Sequence, residues 1–136
     1  MVGKTLAITI PIEPVPSMRP TARAMKLLFV NDLKLTPTQL QLKRRIRRFQ
    51  DYKQAVAIYA RSKRFHLPQC DWHMIFYIET KDKERWGKPH LMKPDRDNLE
   101  KCVQDALVKS DSGIWDGRTT KYWCEPKKGR TEIWID

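Results

Sequence analysis

Residues 72–78 read Trp72-His73-Met74-Ile75-Phe76-Tyr77-Ile78. Trp72, Met74, Phe76 and Ile78 alternate with His73, Ile75 and Tyr77, and a period of two in aromatic and β-branched residues predicts a strand. Upstream, Thr36-Pro37 opens a helix. Threonine is an N-cap residue, and proline at the first helical position lacks only an N–H that has no partner there. From there to about residue 65, Leu42, Ile46, Phe49, Val56 and Ala60 recur at helical spacing, and Lys43, Arg44, Arg45, Arg47 and Arg48 fill the other face. Downstream, Leu99, Cys102, Val103, Ala106 and Leu107 give a second helix, over about 98–109. A strand flanked by two helices is the centre of the fold.

Further out, residues 5–12 also alternate, with Leu6, Ile8, Ile10 and Ile12 on one face. Pro14, Pro16 and Pro20 stop that strand and mark a loop that carries Arg19 and Arg23. Residues 25–30 read as a short strand. Residues 81–93 are polar, contain Gly87 and Pro89, and read as a mobile loop. Strands over about 119–125 and 130–135 close the chain, with Pro126-Lys127-Lys128-Gly129 between them as a hairpin turn. The pattern predicts an α+β fold, a mixed or mostly antiparallel sheet of about four or five strands packed with two main helices. With no repeat and no linker, residues 1–136 form one domain. A domain this small leaves much of its surface in water, so a dimer is expected.

Lys and Arg total 27 against 16 Asp and Glu, a net charge of +11. Such an excess favours polyanions and is the electrostatic footprint of a nucleic-acid binder. Arg19, Arg23, Lys43, Arg44, Arg47 and Arg48 are the expected DNA contacts; a plain solvated face is the other reading of the helix arginines. Cys70, Cys102 and Cys124 are odd in number and show no zinc spacing, which points to a reduced, cytoplasmic setting. His66 and His73 flank Cys70 without a second cysteine nearby. No stretch is long enough for a membrane span, and the opening residues lack the apolar run of a secretory leader.

In this basic chain one acidic cluster stands out: Lys93-Pro94-Asp95-Arg96-Asp97-Asn98-Leu99-Glu100-Lys101. In an extended segment, side chains two apart share a side. Asp95 and Asp97 can then grip one hard cation such as Mg²⁺, with Mn²⁺ as the alternative ion, and Asp116 can complete the oxygen ligands. Lys101, four positions after Asp97, can face the same site and neutralise a phosphate oxygen. A metal that polarises a phosphoryl group, with a cation for the developing charge, is what phosphodiester hydrolysis needs. The ordinary alternatives stay open. Asp97-Asn98-Leu99-Glu100 has the form of a capping box, Asp97 with Lys101 and Asp105 with Lys109 have ion-pair spacing, and Asp116-Gly117 is a common turn pair.

At these residues the chain resembles the RusA family of Holliday junction resolvases, many of them carried by prophages. The resemblance rests on Pro94 to Lys101, on Asp105-Ala106-Leu107 and on Gly113-Ile114-Trp115-Asp116, with Pro14-Val15-Pro16 to Arg19-Pro20 matching the family's opening. It implies a homodimer that nicks four-way DNA junctions with Mg²⁺. It also implies that Asp95, Asp97 and Asp116 are catalytic carboxylates and metal ligands, and that Lys101 is the catalytic lysine. The family shows two adjacent aspartates after the tryptophan, whereas Asp116 is followed by Gly117-Arg118-Thr119, so Asp111 is a rival for the third carboxylate. The expected function is Mg²⁺-dependent, structure-selective resolution of branched DNA by paired nicks. The alternative is a non-catalytic basic DNA-binding module.

Overall fold

The computed structural model describes residues 3–108 and 113–136. Its elements are β1 (Thr5–Ile10), a short α1 (Ala22–Met25), α2 (Pro37–Ser62), β2 (Trp72–Glu79), α3 (Arg96–Leu107), β3 (Arg118–Cys124) and β4 (Arg130–Ile135). The 3-10 turns Lys26–Phe29, Asp32–Lys34 and Lys83–Arg85 lie between them. This is the expected α+β class, with two main helices and a four-stranded mixed sheet. No helix among the described residues is long and apolar enough to cross a membrane.

The strand order is β1-β4-β2-β3. β4 runs antiparallel to β1 and to β2, and β2 runs parallel to β3. Parallel neighbours need a crossover, and α3 supplies it. Composition explains the order. β2 is the most apolar strand, with Trp72, Met74, Ile75 and Phe76 all buried, so it gains most from neighbours on both edges. β3 begins Arg118-Thr119-Thr120-Lys121 and takes an outer place. The terminal strands are therefore not the expected hairpin, since β2 lies between them. The turn at 125–129 reverses the chain and steps over the end of β2. The Gly129 N–H donates to Glu79 Oε2 at 3.0 Å there, and a Cβ at 129 would meet that oxygen at 2.6 Å.

Two local expectations also change. Residues 25–30 are the end of α1 and a 3-10 turn rather than a strand. Thr21 caps α1, its Oγ1 accepting from the Ala24 N–H at 3.1 Å, and turn hydrogen bonds satisfy backbone that an unpaired strand would leave open. Within the expected 81–93 loop, residues 87–90 are pinned to the β3 edge, while most of the side chains around them stay exposed. Gly87 N donates to Trp123 O at 2.9 Å, Trp123 N to Lys88 O at 2.9 Å, and His90 N to Lys121 O at 3.0 Å. This segment extends the β3 edge by a short antiparallel pairing.

Both helices cover one face of the sheet. Phe49, Tyr52, Val56 and Ala60 of α2 and Leu99, Cys102 and Val103 of α3 bury Ile8, Ile10, Trp72, Met74, Phe76 and Ile133. α2 packs toward β1 and α3 toward β3. The arginines of α2 thus sit near the β1 end, where Arg48 Nη2 lies 3.8 Å from Glu13, while the start of α3 lies at the β3 edge.

Candidate active site

α3 begins at Arg96, with Asp95 as its N-cap residue in an extended conformation. The two-residue alternation therefore stops between the two aspartates, because Asp97 already lies in the first helical turn. Asp95 makes no capping hydrogen bond. It pairs instead with Lys93, Nζ to Oδ2 2.7 Å, and that bond holds its carboxyl below the usual range. Asp97 is exposed and makes no hydrogen bond or ion pair among the described residues. It is not the cap of a capping box.

The carboxylates line neighbouring clefts along the β3 edge. Asp95 lies with His90, Lys93, Arg96, Thr119 and Lys121. Asp97 lies with Arg96, Glu100, Gly117, Arg118 and Thr119. Asp116 lies with Trp72, Glu100, Gln104, Trp115 and Gly117. Glu100 and Gly117 belong to both of the last two clefts. Glu100 was missed by sequence reasoning, although Asp97, Glu100 and Gln104 share one helical face by spacing. Its Oε1 accepts from Thr119 Oγ1 at 2.5 Å, which ties α3 to β3 between the two aspartates.

Asp116 is placed by its neighbours. A Cβ on Gly117 would overlap the Trp72 ring, so only glycine lets this backbone lie on the indole. Trp115 N donates to Gln69 O at 3.0 Å, and the Trp115 side chain remains 74% exposed. The Trp72 indole N–H is buried in the wall of the same cleft with no hydrogen-bond partner among the described residues. Asp111, the rival carboxylate, and Lys109 lie outside the described residues.

Lys101 pairs forward with Asp105, Nζ to Oδ1 3.8 Å, rather than with Asp97. It does not line the three clefts. Among the described residues no three His, Cys, Asp or Glu side chains form a metal-ligating group. The donors are all oxygens, which suits a hard cation, but Asp95, Asp97 and Asp116 face adjacent clefts rather than one point. All three cysteines are free, and burial raises Cys102 to about 12 and Cys124 to about 11.

Of the expected DNA contacts, Arg19, Arg23, Arg44, Arg47 and Arg48 are exposed. Lys43 is a correction. It is 6% exposed, and its ammonium donates to Val30 O and Asp32 Oδ1, both at 2.7 Å. It faces inward because position 43, three before Ile46, falls on the flank of the buried stripe. Lys43 tethers the 26–34 segment to α2 and does not stand with the exposed arginines of that helix.

No curated protein matches this chain. The family model for endodeoxyribonuclease RusA matches residues 11–136, which contain every carboxylate described above. A match over nearly the whole chain shows its family: the chain belongs to the RusA family of endodeoxyribonucleases.

Proposed function

We propose that the protein is a structure-selective endonuclease that resolves four-way DNA junctions by paired nicks. The observation that carries this reading is Asp97. It is an exposed carboxylate in the first turn of a helix that neither caps nor pairs among the described residues, beside Glu100 and next to the cleft of Asp116. Such a carboxylate in a chain of charge +11 is suited to a cationic ligand.

Asp95, Asp97 and Asp116 are the proposed ligands of a divalent cation, Mg²⁺ by its preference for oxygen, with Mn²⁺ as a substitute. When bound, such an ion polarises the phosphoryl group and lowers the pKa of water. Lys101 is the proposed counter-charge for the transition state. The backbone N–H groups at the start of α3 add an anion-binding end.

A homodimer suits a junction, because symmetric strands must be cut at paired positions. Phe29 and Leu33, 90% and 93% exposed, are apolar surface of the kind a second copy would cover. The free thiols suit the cytoplasm.

The second reading, a non-catalytic DNA-binding module, is favoured by the failure of the carboxylates to converge. One experiment separates the two. Purified protein with Mg²⁺ should nick a synthetic four-way junction symmetrically, and Asp97→Asn should bind the junction without nicking it. Full activity in Asp97→Asn, or binding without nicking in both Mg²⁺ and Mn²⁺, would overturn the enzymatic reading.

A further inference from the structure

The carboxylates at the β3 edge are interleaved with cations. Lys93, Arg96 and Lys121 line the cleft of Asp95, together with Thr119 and Thr120. Each is held from a different direction. Lys121 rises from β3 and donates to the carbonyls of Met92 at 2.5 Å and Pro94 at 2.8 Å. Arg96, at the first turn of α3, donates from Nη1 to Thr119 O at 3.2 Å. Lys93 reaches Asp95 at 2.7 Å.

Three cations against one carboxylate leave the cleft positive. Burial lowers the pKa of Lys121, Asp95 opposes that shift, and the charges of Arg96 and Lys93 add to it. Like charges held this close repel, and an anion relieves the repulsion. Arg96 and Thr119 also line the cleft of Asp97, so an anion seated here is next door to Asp97.

We propose that this cleft binds the DNA-backbone phosphate adjacent to the one that is cut. The strand then crosses the molecule along β3 and the start of α3. It does not run over the arginines of α2, which lie toward the β1 edge. The inference rests on the endonuclease reading above and adds the path of the substrate.

The test uses the full chain and a four-way junction in EDTA, where no cleavage intervenes. The logarithm of the binding constant is measured against the logarithm of salt concentration. Each phosphate that the protein no longer neutralises lowers that slope by about 0.9. Arg96→Gln should lower the slope by about one and weaken binding equally across junction sequences. Arg96→Lys keeps the charge and should restore the slope. Lys93→Gln in an Asp95→Asn background preserves the local charge sum and should lower the slope as well. Lys127→Gln, in the turn at the far end of β3, should leave it unchanged. A wild-type slope in Arg96→Gln, with a reduced slope in Arg44→Gln or Arg47→Gln, overturns the proposed path alone. Failure of the wild-type chain to bind branched DNA overturns the endonuclease reading and this inference with it.

Discussion

Helices α2 and α3 pack side by side on one face of the sheet but begin in opposite ways. At the start of α2, Thr36 Oγ1 accepts from Gln39 N at 3.2 Å and Gln39 Oε1 accepts from Thr36 N at 3.0 Å, with Pro37 next. That capping box closes two of the open N–H groups every helix start carries. At the start of α3, Asp95 caps nothing and is engaged by Lys93, and Asp97 has no partner among the described residues. The positive end of α3 is left open beside two carboxylates. The start of α2 is closed by its own side chains, whereas the start of α3 has no side-chain cap.

The sharpest way to break this contrast is Asp97→Asn. Nicking should fall on the order of a hundredfold or more, the size of one lost electrostatic group at a reacting centre. Folding stability should change by no more than about 0.3–1 kcal/mol, the worth of one charge at a helix end. Nicking rates and urea midpoints on the same preparation check both. A large stability loss with modest loss of activity would make Asp97 structural and the two helix starts alike.

Gly117→Ala comes next. The added Cβ must displace the Trp72 ring or the backbone that carries Asp116, at about 1–3 kcal/mol of stability for an overpacked site. Because Asp116 is the adjacent residue, nicking should fall as well. Loss of stability with full activity would show that Asp116 is not placed by this contact.

Thr36→Ala tests the other helix. Losing the cap should cost about 1 kcal/mol, read as a lower urea midpoint, and leave nicking unchanged below the melting range. Asp95→Ala should cost less stability, since that side chain caps nothing.

The contrast between the helices was only partly legible in the sequence. Thr36-Pro37 declares the start of α2, because the cap, the proline and the box partner Gln39 are local. α3 misled the reading by a few residues. Asp97 with Glu100 imitates a capping box, and only the backbone shows that the helix has already begun at Arg96. The alternation of 72–78 places β2 well, yet no local rule says that β2 separates β3 from β4, because strand order follows from which strand gains most from burial. The acidic motif itself was plain. Glu100 and Lys121 were not, since each matters through a partner distant in sequence, Thr119 for one and the carbonyls of Met92 and Pro94 for the other. Lys43 was misassigned because the arginine run hides its place on the flank of the buried stripe.

The smallest expected effect concerns acid. The segment leading into α3 contains His90, 2% exposed, its ring centroid 4.0 Å from that of Trp123. Burial, then the charge of Lys121, lower its pKa below the ordinary value, with Arg85 adding to the shift. The unfolded chain binds a proton near pH 6.5 while the folded ring stays neutral. Stability from this group is therefore fully present above about 6.5 and is lost as pH falls through that value toward the folded pKa. The start of α2 offers only Thr36 and Gln39, which do not titrate. Mild acid should thus loosen the approach to α3 before the start of α2, seen as faster amide exchange over 86–95 than over 37–41. His90→Phe preserves the stack and should lessen the fall in urea midpoint between about pH 7.5 and 5.5 without removing it, because His73, shifted the same way by burial and by Arg118, still titrates. An unchanged pH slope in His90→Phe would place the acid sensitivity elsewhere and leave the two helix starts equally stable.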